Sequence, residues 1–214
     1  MSFRLLSVVV LCSSLVVGAC GRNSSPSAPS STSGPTTPLP SLESMLADKV
    51  LGQSQAPVTI IEYSSLSCPH CGDFHVNTLP LLKTGYLDTG KVKLIYRDYP
   101  LDGVALSASM IARCSGDRYF GALERLYQSQ STWSHSNDWV GALKQTVAPI
   151  GMTSADVDAC LAYRELQNGI LGMSDVGTNE FGVRATPTLI INGQKYEGAP
   201  AWSDLEAILR NLGA

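Results

Sequence analysis

Two cysteines in the segment Cys68-Pro69-His70-Cys71 are the side chains of this sequence best suited to chemistry. A single Cys-x-x-Cys between a predicted strand and a predicted helix reads as a redox pair that opens and closes a small disulfide. Cys68 falls at the helix start, where backbone N–H groups lack partners and the macrodipole favours an anion. Pro69 suits the first helical position because its missing N–H costs nothing there. His70 adds a donor or a positive charge. All three effects predict a lowered pKa for Cys68, and only a thiolate attacks a disulfide or leaves one readily. A stabilised thiolate favours the reduced dithiol, which makes the disulfide form a strong oxidant. His70 therefore points to donating disulfides rather than reducing them. A purely structural bridge is a weaker alternative, since so short a loop gains little entropy. A metal site from Cys68, Cys71 and His75, with His70 or Asp73, is another. Zinc usually wants a second ligand pair, and no further Cys-x-x-Cys or His-x-x-x-His exists.

The elements that must position this pair are legible in outline. Val58–Tyr63 is a β-branched apolar run too short for a helix, so it is predicted as a buried strand. Glu62 lies near its end. A helix follows the cysteines through Phe74, Thr78 and Leu82, and Pro80 is expected to kink it. Lys91–Tyr96 is a second predicted strand. Between Leu101 and Asp175 the pattern turns helical, with Ala105–Cys114, Phe120–Gln130, Trp139–Val147 and Ala155–Tyr163 as segments. Thr188–Ile191 and Gln194–Glu197 flank Asn192-Gly193, a strong two-residue hairpin turn. Leu205–Leu212 closes the chain as a helix. This order describes an α/β fold with a helical block inserted into a small sheet. Cys114 and Cys160 lie in separate helices of that block and are expected to form a structural disulfide if the helices touch, or else to pack as two buried thiols. His75 reads as a surface histidine one turn beyond Cys71, and His135 as a loop residue.

The chain has 214 residues, 44% hydrophobic and 15% charged, enough for one domain or one domain with an insertion. A net charge of −3 with no basic run gives no sign of nucleic acid. Arg4, the apolar stretch Leu5–Val17 and the small residues Gly18 and Ala19 resemble an export signal, too short for a comfortable membrane span. Cys20 after Val17-Gly18-Ala19 also fits a bacterial lipobox, in which it would carry lipid. Lipidation would leave four cysteines for two pairs, whereas simple cleavage would leave an odd thiol. Residues 21–44 are rich in Ser, Pro, Thr and Gly and are expected to be a disordered tether.

Glu62, Cys68-Pro69-His70-Cys71 and Ala185-Thr186-Pro187-Thr188 together resemble the DsbA-like branch of the thioredoxin superfamily. The resemblance implies a thioredoxin fold over 45–100 and 176–214, with 101–175 as the inserted helical domain and 1–20 as the signal. It implies that Cys68 is the exposed nucleophile and Cys71 its buried partner. It makes the Thr186-Pro187 bond cis and facing the cysteines, with the backbone of Thr186 able to pair with an extended substrate. Glu62 becomes a buried acid beneath the motif, able to relay a proton to or from Cys71. The implied activity is disulfide donation to exported cysteine-containing proteins in the periplasm or cell envelope. It needs no cofactor, and a quinone-linked membrane partner reoxidises the pair. Isomerase relatives carry an extra N-terminal dimerisation domain where this chain has its tether, so a monomer is expected. An isomerase or reductase of the same fold is the alternative, and a metal-binding or chaperone-like module is the alternative from another class.

Overall fold

The computed structural model describes residues 38–214. The export signal, Cys20 and most of the expected tether lie outside the described residues. The helix α1 (Leu42–Leu46) opens the described fold, capped by the Ser41 hydroxyl, which accepts from the Ser44 N–H at 3.2 Å. The tether drawn to residue 44 thus ends sooner. Met45 in this helix is fully buried in the core.

A five-stranded sheet follows, in the spatial order β1-β3-β2-β4-β5. Its strands are β1 (Lys49–Gly52), β2 (Val58–Ser64), β3 (Val92–Asp98), β4 (Thr188–Ile191) and β5 (Gln194–Glu197). Only β2 and β3 run parallel, and the other neighbours are antiparallel. The edge strand β1 was not foreseen from sequence. Its four residues alternate between half-buried and exposed, so they lack the apolar run that marks β2. The β4–β5 turn does follow the expectation. Asn192 and Gly193 both have positive φ, 45° and 87°, as a two-residue hairpin requires. The Asn192 side chain also accepts from the Thr59 N–H at 2.9 Å, which ties the turn to β2.

The cysteine-bearing helix runs from Pro69 to Leu87 in four pieces. It comprises α2 (Pro69–Asp73), a wide turn Phe74–Thr78, α3 (Leu79–Leu82) and a second wide turn Lys83–Leu87. In the first wide turn the Leu79 N–H reaches back five residues to the Phe74 carbonyl. Pro80 lies just beyond it. Its ring has no N–H and would collide with the carbonyl four residues earlier, so the helix widens there.

The helical block contains α4 (Gly103–Cys114), α5 (Tyr119–Gln128), α6 (Gln130–Ser134), α7 (Trp139–Val147) and α8 (Ser154–Leu161). Asp102 and Asp138 cap α4 and α7, and Thr153 with Asp156 forms a capping box on α8. The next helix, α9 (Arg164–Glu180), runs through the boundary expected at residue 175, and α10 (Trp202–Asn211) closes the fold. Helix α9 contributes to both layers. Its first half buries Leu166 and Ile170 with the helical block, while Gly177 lies against the Tyr63 ring of the sheet. Among the described residues, no helix is long and apolar enough to cross a membrane.

One buried cluster joins the block to the cysteines. Cys68, Cys71 and Leu66 pack with Ile111, Leu126 and Trp133. The redox motif therefore lies at the seam between the sheet layer and the helical block.

Candidate active site

Cys68 is the N-cap of α2, with extended backbone angles (φ −78°, ψ 120°), and Pro69 occupies the first turn. The Cys68 carbonyl accepts from the Gly72 N–H at 3.0 Å, closing that turn. The next backbone N–H groups, of His70 and Cys71, lie at the start of the helix beside the sulfur, and both lower the Cys68 pKa. The largest lowering comes from the Cys71 thiol, which donates to Cys68, and the Thr186 side chain lowers it further. Against partial burial these bonds bring Cys68 down to about 5. Cys71 moves the opposite way, far above the usual thiol range. Burial without a compensating charge disfavours its thiolate, and the nearby Cys68 sulfur adds to the effect. The two sulfurs are thus assigned opposite tasks by depth.

Three sequence expectations change here. His70 and Pro69 are exposed, and His70 acts on the sulfur through its backbone N–H rather than its imidazole. Cys68 is less exposed than the resemblance implied, only 6% against 0% for Cys71. The Thr186-Pro187 loop covers it. The Cys68 thiol donates to the Thr186 carbonyl at 3.3 Å, and the Thr186–Pro187 bond is cis. The Thr186 hydroxyl is buried without a hydrogen-bond partner, so it is free to donate to the thiolate once Cys68 loses its proton. His75 is the third change. It is buried rather than a surface residue, at 8% exposure. Its Nε2 lies 2.9 and 3.1 Å from the two carboxylate oxygens of Glu62. The sequence signal was available, because four residues beyond Cys71 on a helix is the same face.

Glu62 is fully buried on the central strand β2, between Tyr96 on β3 and Leu189 on β4. Its carboxylate is held by His75, and Cys71 has Ser64 as its side-chain oxygen partner. Behind Ser64 runs a chain of hydroxyls. Tyr127 donates to the Ser64 oxygen at 3.1 Å, and the Tyr127 and Tyr96 hydroxyls are 2.8 Å apart. The Tyr127 ring stacks on the His75 imidazole with centroids 4.0 Å apart. Ser64, Tyr96 and Tyr127 had no part in the sequence reading, since nothing in their spacing marks them as partners across three elements.

Cys114 and Cys160 are joined by a disulfide between α4 and α8, with Cα atoms 6.2 Å apart. His135 is an exposed residue in the turn after α6. Among the described residues, no three His, Cys, Asp or Glu side chains gather to hold a metal ion.

A strand–Cys-x-x-Cys–helix unit facing a cis-proline loop, with a helical block between β3 and β4, defines a DsbA-like member of the thioredoxin superfamily. Comparison with known proteins agrees. The thioredoxin family model matches residues 44–211, and the chain belongs to that family. A Rickettsia bellii protein assigned to the protein-disulfide oxidoreductases is 30% identical over 70% of this chain and 59% of its own length. The chain thus spans little more than half of that relative. Disulfide bond formation protein D of Bacillus subtilis is 24% identical over 76% of each chain. The crystal structure of Wolbachia pipientis alpha-DsbA1 superposes with a TM-score of 0.72 at 29% identity, covering 77% of this chain and 90% of that one. BdbD from Bacillus subtilis, in its oxidised form, shares the fold at 19% identity, with a TM-score of 0.71 over 84% of this chain and 98% of its own.

Proposed function

We propose that this protein is a protein-disulfide oxidoreductase that works as an oxidase on exported proteins, through Cys68 and Cys71. The observation that carries this reading is the opposed setting of the two sulfurs. Cys68 is held near pKa 5 at a helix N-terminus, and Cys71 is held protonated by burial. Stabilising one thiolate stabilises the dithiol state, so the disulfide state readily passes its bond on.

A substrate thiolate attacks Cys68 in the Cys68–Cys71 disulfide. The new bond is substrate S–Cys68, the broken bond is Cys68–Cys71, and Cys71 leaves with the electron pair. Cys71 then takes up a proton. Ser64 and Tyr127 hold hydrogen bonds to that side, and the buried Glu62–His75 pair behind Tyr127 is the candidate proton source. A second substrate thiolate attacks the substrate sulfur of the mixed disulfide, and Cys68 departs as the thiolate its surroundings favour. The substrate loses two electrons, and the enzyme gains them. Reoxidation then falls to a quinone-linked membrane partner, as in the family this chain resembles. Thr186-Pro187 beside Cys68 is the proposed seat of an extended substrate segment, by backbone pairing.

Export is supported by the N-terminal pattern Arg4 and Leu5–Val17, and by a disulfide between Cys114 and Cys160, which persists in oxidising compartments. Lipidation at Cys20 would anchor the domain through its tether.

Oxidised protein mixed with a reduced, unfolded model substrate tests the activity. The expected result is stoichiometric transfer of one disulfide per enzyme, abolished in Cys68→Ser, and a Cys68–Cys71 reduction potential at or above the glutathione poise. A thioredoxin-like potential would assign the protein to reduction instead. Recovery of scrambled rather than reduced substrate would assign it to isomerisation.

A further inference from the structure

One side chain of the helical block reaches into the redox loop. Gln130, the first residue of α6, donates from Nε2 to the Leu66 carbonyl at 2.7 Å and to the Cys68 carbonyl at 2.9 Å. These two bonds use both amide hydrogens, which fixes which end of the amide is nitrogen. The loop they hold is short. The Cys68 N–H returns to the Ser65 carbonyl at 3.1 Å, and Leu66 is fully buried. Helix α2 makes room for this reach. A methyl group on Gly72 would collide with the Gln130 amide, so the absence of a side chain at Gly72 is what admits it.

We infer that Gln130 is a positioning residue for the reactive sulfur: by clamping the Leu66 and Cys68 carbonyls it holds the Cys68 backbone fixed at the N-terminus of α2, with the sulfur against the Thr186 carbonyl. The inference rests on the redox reading of Cys68 and Cys71. Its physical content is preorganisation. Backbone donors stabilise an anion in proportion to how well they already point at it, and a loop free to turn spends part of its time pointing them elsewhere. The sequence placed Gln130 only inside a predicted helix. A glutamine on a half-buried helix is usually a solvated residue, and its two partners lie more than sixty positions away, at separations of 64 and 62.

The test uses Gln130→Met, which keeps length and packing but removes both donors, and Gly72→Ala, which displaces the amide without touching either sulfur. Each is compared with wild type by thiolate absorbance against pH, by Cys68–Cys71 reduction potential, and by thermal unfolding of the oxidised form. The expected result is a rise of the Cys68 midpoint by about one pH unit in both variants, with a potential lower by ~30 mV for that tenfold change. A merely structural role would lower the melting temperature and leave the Cys68 midpoint in place, and that result in Gln130→Met overturns the inference. If Gln130→Met fails to fold, Gly72→Ala decides by the same midpoint. The two readings are separable. Shifted midpoints in the variants, together with a wild-type protein that transfers no disulfide to substrate, refute the proposed activity and leave the clamp standing.

Discussion

The Cys68 thiolate can be taken apart one hydrogen bond at a time, beginning with the largest contribution. In the reduced protein Cys71 donates its thiol hydrogen to Cys68. Cys71→Ala removes that donor, while Cys71→Ser replaces it with a hydroxyl. A hydrogen bond to a charged group is worth about 1.5–3 kcal/mol, and one pKa unit is about 1.4 kcal/mol. Cys71→Ala should therefore move the Cys68 midpoint from about 5 up by roughly one to two units, whereas Cys71→Ser should stay closer to wild type. At pH 7 a thiol with a pKa of 5 is about 99% thiolate, against roughly 1% for an ordinary thiol near 9. Alkylation of Cys68 by iodoacetamide should thus be flat from pH 6.5 to 8.5, at about those bounds, and fall tenfold per unit only below about 5.

The same shift appears in stability. Cys68 has a folded pKa depressed below its unfolded value, so its contribution is complete above the unfolded pKa and is lost as pH falls through about 5. Cys71 stays protonated in both folded and unfolded protein below about pH 8, and the oxidised pair does not titrate. The stability of reduced over oxidised protein should therefore grow between pH 5 and 8, by up to about 1.4 kcal/mol per unit, when followed by denaturant unfolding of both forms. A wild-type alkylation midpoint near 8.5, or identical midpoints in Cys71→Ala and Cys71→Ser, would refute this account of the thiolate.

Arg113→Met should be among the most destabilising single changes in the fold. Arg113 and Asp98 are both fully buried and paired, and the guanidinium also donates to the Met45 carbonyl at 2.6 Å. Removing it strands the Asp98 carboxylate at a cost of about 3–5 kcal/mol. That is a melting temperature lower by roughly 6–20 °C, and pairing it with Asp98→Leu should recover much of the loss. Replacing both Cys114 and Cys160 with Ser opens a loop spanning 46 residues. The expected loss is about 4 kcal/mol of stability on the chain-entropy estimate, with disulfide transfer by Cys68 retained in the folded fraction. Lost transfer with the fold intact would give that bridge a role in the chemistry.

The placement of Cys68 at a helix start was legible in the chain because it is local. Four consecutive residues after an apolar strand place a sulfur at a helix N-terminus, and that placement depends on backbone N–H groups within one turn rather than on any distant partner. The strands β2 and β4 and the Asn192-Gly193 turn were legible for the same reason: a buried strand writes its period and its turn chemistry into adjacent residues. What only the tertiary structure decided is the set of partners across elements. His75 faces Glu62 because the helix after Cys71 lies across the central strand; its spacing from Cys71 marks the shared helix face, but the partner on β2 is set by that crossing. Gln130 reaches the redox loop because the helical block docks on it. Arg113 is buried beside Asp98 because α4 packs on the end of β3. In each case the pairing lowers the cost of burying a polar or charged group, and that cost exists only once the chain has closed around it.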